Sequence, residues 1–177
     1  MSRLKIPSRD EAPVETHPTL DALFKQLGFI PNLFLVVSQS ANTLQGLTDL
    51  QKALGKTLDP KMRHRIALAV SQVNECDYCL AAHSYVGTHL HKLSAEEVTR
   101  NREGHSDDPK SDAAVQFAKR VTETRGRVSD EDLAAVRKAG FSDAQIVEIV
   151  ATAVQFLFTN FINNVADTDI DFPTERA

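Results

Sequence analysis

The sequence is poor in the features that mark secreted, nucleic-acid-binding or membrane proteins. It holds two cysteines in 177 residues, three positions apart, which is no staple for a fold. Basic residues are not in excess: the formal charge is −4 and the isoelectric point about 5.8, so nothing electrostatic points to nucleic acid. The opening Met-Ser-Arg-Leu-Lys-Ile-Pro has no apolar stretch of signal-peptide length. The most apolar run, 146–162, is broken by Glu148, Gln155 and Asn160 and reads as a buried helix rather than a membrane span. No segment carries a convincing strand pattern. These absences predict a cytoplasmic, all-α protein without nucleic-acid or membrane partners. With 42% hydrophobic and 25% charged residues the composition is that of a globular chain, and one domain of this length buries about 70% of its unfolded surface.

Punctuation residues divide the chain into helices. Residues 1–18 carry Pro7, Pro13 and Pro18 and predict an extended arm, with 19–177 as a single helical domain. A short helix over 20–27 is capped by Thr19 and stopped by Gly28. The apolar run 33–37 is too short to tell strand from helix by pattern, and its helical surroundings decide for helix. Leu44, Leu47, Leu50 and Leu54 step along an amphipathic helix over 40–56. Asp59-Pro60 opens a helix over 60–74, and another follows over 76–91. Ser94-Ala-Glu-Glu97 predicts a capping box, 102–111 a polar loop, and 113–123 a helix. Ser129 caps a helix ended by Gly140, and Ser142-Asp-Ala-Gln145 opens a long last helix over 143–165, followed by a polar tail with Pro173. Sliding the chain by 84 residues lays 61–83 over 145–167 with four of 23 positions identical and the hydrophobic phase in step, as in a duplicated helical hairpin. Cys76, Cys79 and His83 then fall on Asn160, Asn163 and Asp167.

The chemistry-bearing stretch is Asn74-Glu-Cys-Asp-Tyr-Cys-Leu-Ala-Ala-His83. On a helix, Cys76, Cys79 and His83 share one face. Two thiols and an imidazole in one stripe form a redox centre: one thiolate attacks, the other closes a disulfide, and the histidine takes the first proton. If the helix from 60 ends near Asn74, both cysteines sit in the first turn of the next helix, where free N–H groups favour thiolate. Cys79, one turn before His83, is the candidate nucleophile; the habit of C-x-x-C motifs to attack with the first cysteine argues for Cys76. Other readings stay open. Two thiols can be small core residues. Cys76, Cys79 and His83 with His64, His89 or His91 could bind zinc, although no second ligand pair lies at the usual distance. A thioredoxin-like centre needs strands that the sequence does not offer.

The run Leu58-Asp-Pro-Lys-Met-Arg-His-Arg-Ile-Ala-Leu-Ala-Val70, continuing into the C-x-x-C-x-x-x-H motif, resembles the AhpD-like (alkylhydroperoxidase D) branch of the carboxymuconolactone decarboxylase family. Gly28-Phe-Ile-Pro-Asn32 and the ending from Asn163 to Pro173 resemble its longer peroxidase-related subgroup. The resemblance implies an AhpD-like helical fold and a homotrimer or homohexamer. It further implies reduction of hydroperoxides without a cofactor or metal, with re-reduction by a dithiol such as a lipoylated or thioredoxin-like protein. Carried over by position, Cys76 and Cys79 are the redox pair, His83 the base, and Tyr78 occupies a place where some members have a relay histidine. His64 stands where the family has a glutamate that orients the histidine. A neutral partner there implies a weaker base and activity rising with pH through the histidine range. Relatives lacking the cysteines are decarboxylases of a lactone acid, which the intact pair argues against. An oligomeric protein whose thiols only sense oxidants is the non-enzymatic alternative.

Overall fold

Asp59 and Asp108 each precede a proline, and in the computed structural model, which describes residues 1–172, both begin helices in the same way. Their carboxylates accept from the backbone N–H three residues on, while proline occupies a position whose N–H needs no partner. The helices among the described residues are α1 (His17–Leu27), α2 (Asn32–Ser38), α3 (Ala41–Leu54), α4 (Pro60–Val73), α5 (Asp77–His89), α6 (Ala95–Glu103), α7 (Pro109–Thr124), α8 (Asp130–Lys138) and α9 (Asp143–Ala166). No strand occurs among them, so the protein is all-α.

Helix α4 is the centre and packs against α5, α6, α7 and α9. Its fully buried Ile66 and Val70 meet Val115 of α7, Val136 of α8 and Ile149 of α9 in the main core. A second core joins α1, α2, α3 and α5 through Leu20, Leu44 and Leu47, and it contains Cys76, Tyr78 and Cys79. Each fully buried Leu or Ile contributes about 1.5–3 kcal/mol.

Between α4 and α5 the chain reverses within three residues. Asn74 ends α4, Glu75 takes the left-handed conformation (φ 51°), and Cys76 N–H reaches back to Ser71 O (3.0 Å) while Glu75 N–H reaches Gln72 O (3.2 Å). This is a Schellman closure with a non-glycine residue at its left-handed position. Cys76, its last residue, is at once the N-cap of α5.

A ladder of amides holds this reversal against α9. Asn160 donates to Ser71 Oγ (3.1 Å) and accepts from Asn74 Nδ2 (3.0 Å), and Asn164 donates to Asn74 O (2.7 Å). By length and composition α9 could cross a bilayer; here its polar Thr152, Gln155, Asn160 and Asn163 are buried in the middle of the fold.

Several sequence expectations change. Residues 1–18 are not simply extended: 3₁₀ turns form over Arg9–Glu11 and Val14–Thr16, and α1 begins at His17 after Thr16, not after Thr19. The arm lies on its own chain, with Arg3 N–H on Ala166 O (2.6 Å) and Gln39 Nε2 on Lys5 O (3.0 Å). Ser94 caps α6, but Glu97 completes no box, because its carboxylate is drawn into a buried pair with Arg65 (2.7 Å) and bonds from Ser106 and Asp107. The polar loop expected over 102–111 is shorter, since Asp108-Pro109 starts α7 early. The segment that the 84-residue shift lays over α4 and α5 is one unbroken helix, α9, so the bend at 74–76 has no counterpart there. Pro173 lies outside the described residues.

Replacing Asn160 by alanine strands Ser71 and Asn74 at the reversal. Urea unfolding of Asn160→Ala is expected to show a loss of about 2–3 kcal/mol with the denaturant slope unchanged.

Candidate functional site

The helix reversal sets the two sulfurs in different surroundings. Cys76 and Cys79 form a disulfide with their Cα atoms 5.3 Å apart. Cys76 is the N-cap, and its Sγ accepts from the Cys79 N–H (3.4 Å). Its side chain is sealed inside the protein, at 0% exposure. Cys79, at 3% exposure, lines a cavity of about 150 Å³, and Asn163 Nδ2 donates to its Sγ (3.2 Å). Each sulfur thus has one N–H donor, from a helix N-terminus for Cys76 and from α9 for Cys79. Both donors favour the thiolate once the bond is reduced.

His83 lies one turn beyond Cys79 on α5 and lines the same cavity. Its Nδ1 is 3.2 Å from Nδ1 of His64, and the Phe156 ring meets it edge-on at 5.0 Å. In one straight helix nineteen residues would separate the two histidines by about 28 Å, so the hairpin of α4 and α5 is what brings them together. The His91 ring packs against His64 at a tilt of 36°, 4.4 Å between centroids. Burial lowers the pKa of His83 to about 4, and burial together with the neighbouring His83, His91 and Arg63 lowers that of His64 to about 2. Burial, Arg63 and Lys61 lower His91 as well. The pair is therefore neutral at pH 7, and the expected histidine titration around neutrality is displaced well into the acid range.

Tyr78 lines the cavity with its ring, but its hydroxyl points to another element. The Tyr78 hydroxyl accepts from Leu33 N–H (3.2 Å) at the start of α2, and the ring meets Phe172 edge-on at 5.8 Å. Burial first, then the nearby Asp171 carboxylate, raises its pKa. Tyr78 therefore braces α2 against α5 and is not joined to the histidine pair as a relay group. The zinc ligand set is not assembled either. His89 stacks on Tyr85 (4.2 Å), and among the described residues no three His, Cys, Asp or Glu side chains converge as metal ligands.

The rest of the cavity wall is mainly apolar, with Leu27, Leu33, Phe34, Val86, Phe156 and Phe172 contributing. Motif reading missed what α9 supplies, namely Asn163 on Cys79 and Gln155, Phe156 and Thr159 in the wall. One signal was present: the 84-residue shift lays Asn163 over Cys79, and these two residues touch.

The sequence profile of the carboxymuconolactone decarboxylase family matches residues 41–120, which include α4, α5 and the motif. No curated protein matches the chain by sequence. Among solved structures, an AhpD-core, peroxidase-related protein from Ralstonia eutropha JMP134 is similar at a TM-score of 0.86 and 24% identity, covering 96% of this chain and 92% of that one. A peroxidase-related protein from Silicibacter sp. TM1040 gives 0.83 and 24%, covering 95% and 91%. The debrominase Bmp8 gives 0.80 and 23%, covering 96% and 92%, and a variant of it has been solved with 2,3,4-tribromopyrrole. At these identities the likeness establishes a shared fold.

The depressed histidine pKa values have a consequence for stability. The unfolded chain binds protons at these residues below about pH 6.5, whereas the folded protein does so only near pH 4 and below. Stability is thus present above the unfolded value and falls as pH drops through this window. The melting temperature is expected to decrease from pH 7 to pH 4.5, with a shallower decrease in His83→Gln. In His64→Glu, NMR titration is expected to show the His83 pKa shifted upward by the new carboxylate; an unshifted value contradicts direct contact between the two side chains.

Proposed function

The profile of the carboxymuconolactone decarboxylase family matches residues 41–120 and the fold is AhpD-like, and from that premise we propose that the chain is a thiol-dependent peroxidase of this family reducing hydroperoxides with the Cys76–Cys79 pair. The observation that carries this reading is the asymmetry of the pair. Cys79 faces the cavity beside His83, and Cys76 is sealed behind it within bonding distance.

The reduced enzyme begins with both thiols. When His83 Nδ1–H donates to His64 Nδ1, the other ring nitrogen of His83 carries its lone pair and accepts the Cys79 proton. The Cys79 thiolate, held by Asn163, attacks the terminal oxygen of the hydroperoxide. The O–O bond breaks, and the departing alkoxide takes the proton from His83 to leave as the alcohol. Cys79 is now a sulfenic acid. Cys76 attacks its sulfur, water leaves with the Cys76 proton, and the disulfide forms. An external dithiol then attacks Cys79 from the cavity, and Cys76 departs as a thiolate stabilised by the start of α5. That reductant is a lipoylated or thioredoxin-like dithiol in the cytoplasm.

A second reading has its own support, because the debrominase shares the fold and the cavity wall is aromatic. The same dithiol could replace a carbon–bromine bond by carbon–hydrogen, releasing bromide as the pair is oxidised. Bromide release from a small bromoarene, compared with peroxide consumption, separates the two.

Purified protein is expected to consume peroxide over many turnovers with a dithiol; consumption of one equivalent per subunit identifies a sensor instead. Cys79→Ser is expected to abolish the reaction, and Cys76→Ser to leave a trappable sulfenic acid at Cys79 by mass spectrometry. The reverse pattern would exchange the two roles.

Assembly belongs to the same proposal. Val147, Val154, Phe158, Phe161 and Val165 expose apolar surface along α9, with Phe161 at 53% and Val165 at 65%. Their steps of three, four and seven form one stripe, of the kind that copies of a chain bury against each other. Light scattering is expected to give a closed homo-oligomer, a trimer or a dimer of trimers, and Phe161→Lys a smaller species. A monomer at micromolar concentration contradicts it.

A further inference from the structure

One amide of the cavity wall has a donor with no partner among the described residues. Gln155 is buried at 5% exposure and lines the cavity, and its Nε2 has no hydrogen-bond partner. A buried, unpartnered amide destabilises a fold, so its place beside the reactive sulfur calls for a compensating ligand. No acceptor among the described residues lies within hydrogen-bond distance of it. Thr159, one turn on, satisfies itself by donating to Phe156 O (2.9 Å), and Phe156 presents its ring to His83.

The rest of the wall describes what such a ligand must be. No lysine, arginine, aspartate or glutamate lines the cavity among the described residues, so no counter-ion awaits a charged group. Leu27, Leu33, Phe34 and Phe172 offer apolar surface. A volume of about 150 Å³ between apolar walls suits a body about the size of benzene.

We propose that Gln155 is the positioning donor of this cavity, and that the cavity takes a compact, uncharged, apolar molecule with one accepting oxygen. Resting on the peroxidase reading, that molecule is a small alkyl hydroperoxide, with the alcohol as product. Gln155 Nε2–H holds the oxygen attached to carbon, while the terminal oxygen faces Cys79. As the Cys79 sulfur bonds the terminal oxygen, the O–O electron pair passes to the held oxygen. The hydrogen bond strengthens as this charge grows, until the proton carried by His83 neutralises it. Gln155 itself neither gains nor loses a proton.

The test uses Gln155→Leu, which keeps the bulk and removes the donor, with Gln155→Met as the second variant should the first fail to fold. Binding of tert-butanol to the disulfide form is read by calorimetry, turnover of tert-butyl hydroperoxide in a dithiol-coupled assay, and folding by melting temperature. The proposal expects about 10-fold weaker alcohol binding and a lower kcat with tert-butyl hydroperoxide. It also expects a melting temperature equal to or above that of the wild type, since an unpaired buried amide has gone. 3-Hydroxy-3-methylbutanoate, a carboxylated counterpart of tert-butanol, is expected not to bind. Unchanged binding and turnover in the variant overturn the proposal. So does a fall in melting temperature with binding intact, which marks a structural amide, and so does equal binding of the carboxylated alcohol. If the wild type binds the alcohol through Gln155 but turns over no hydroperoxide, the donor assignment stands and the peroxidase reading falls.

Discussion

The site depends on a chain reversal that is held from outside. Between α4 and α5 the backbone turns through a left-handed glutamate, Glu75, a conformation that a non-glycine residue adopts at a cost of about 1–2 kcal/mol. The asparagines of α9 meet that cost by closing on Ser71 and Asn74. One residue, Cys76, ends the closure of α4 and begins α5. Because that residue is a cysteine, its sulfur receives a helix N-terminal N–H and is pressed into the interior. Because the next cysteine is three residues on, it rises along α5 onto the cavity. The difference between a sealed sulfur and one that lines the cavity is therefore a product of helix geometry.

The electrostatics of the cavity follow from the same burial. Two imidazoles at 3.2 Å in an apolar wall cannot both be charged, and burial disfavours charge on either. A carboxylate at position 64 would make His83 a stronger base, but it would be a buried charge wherever the imidazolium was absent. With histidine there the pair is neutral and the cavity stays uncharged. Thiolate stabilisation falls instead to fixed dipoles, the Asn163 amide and the start of α5.

Helix α9 reverses the usual amphipathic logic. Its polar side chains are inside, where Asn160, Asn163 and Gln155 serve the reversal, the sulfur and the cavity, and much of its apolar surface is outside. The inward amides are satisfied by specific partners except at Gln155 Nε2 and Asn163 Oδ1. An outward stripe of Val and Phe on a helix so constrained asks for cover by another surface.

The sequence by itself determined the elements whose causes are local. Asp59-Pro60, Ser129, Ser142 and Gly28 punctuate helices through bonds within a few residues, so the all-α fold and most helix limits were legible. The Asp-Pro pair at 108–109 carries the same signal, within a stretch whose polarity reads as loop. The motif also declared that Cys79 and His83 share one face of a helix, because four-residue spacing on a helix is geometry known in advance. Spacing could not say that Cys76 would be a cap rather than part of the helical stripe, that Tyr78 would turn to Leu33, or that Glu97 would leave its capping role for Arg65. Those outcomes are competitions between a local partner and a distant one, decided by burial. Only the tertiary structure decided which sulfur meets the cavity, that His64 and His83 are neutral, and that α9 provides Asn163 and Gln155. Each depends on groups about 20 to 90 residues apart being desolvated together, and no periodicity along the chain encodes the dielectric that they then share.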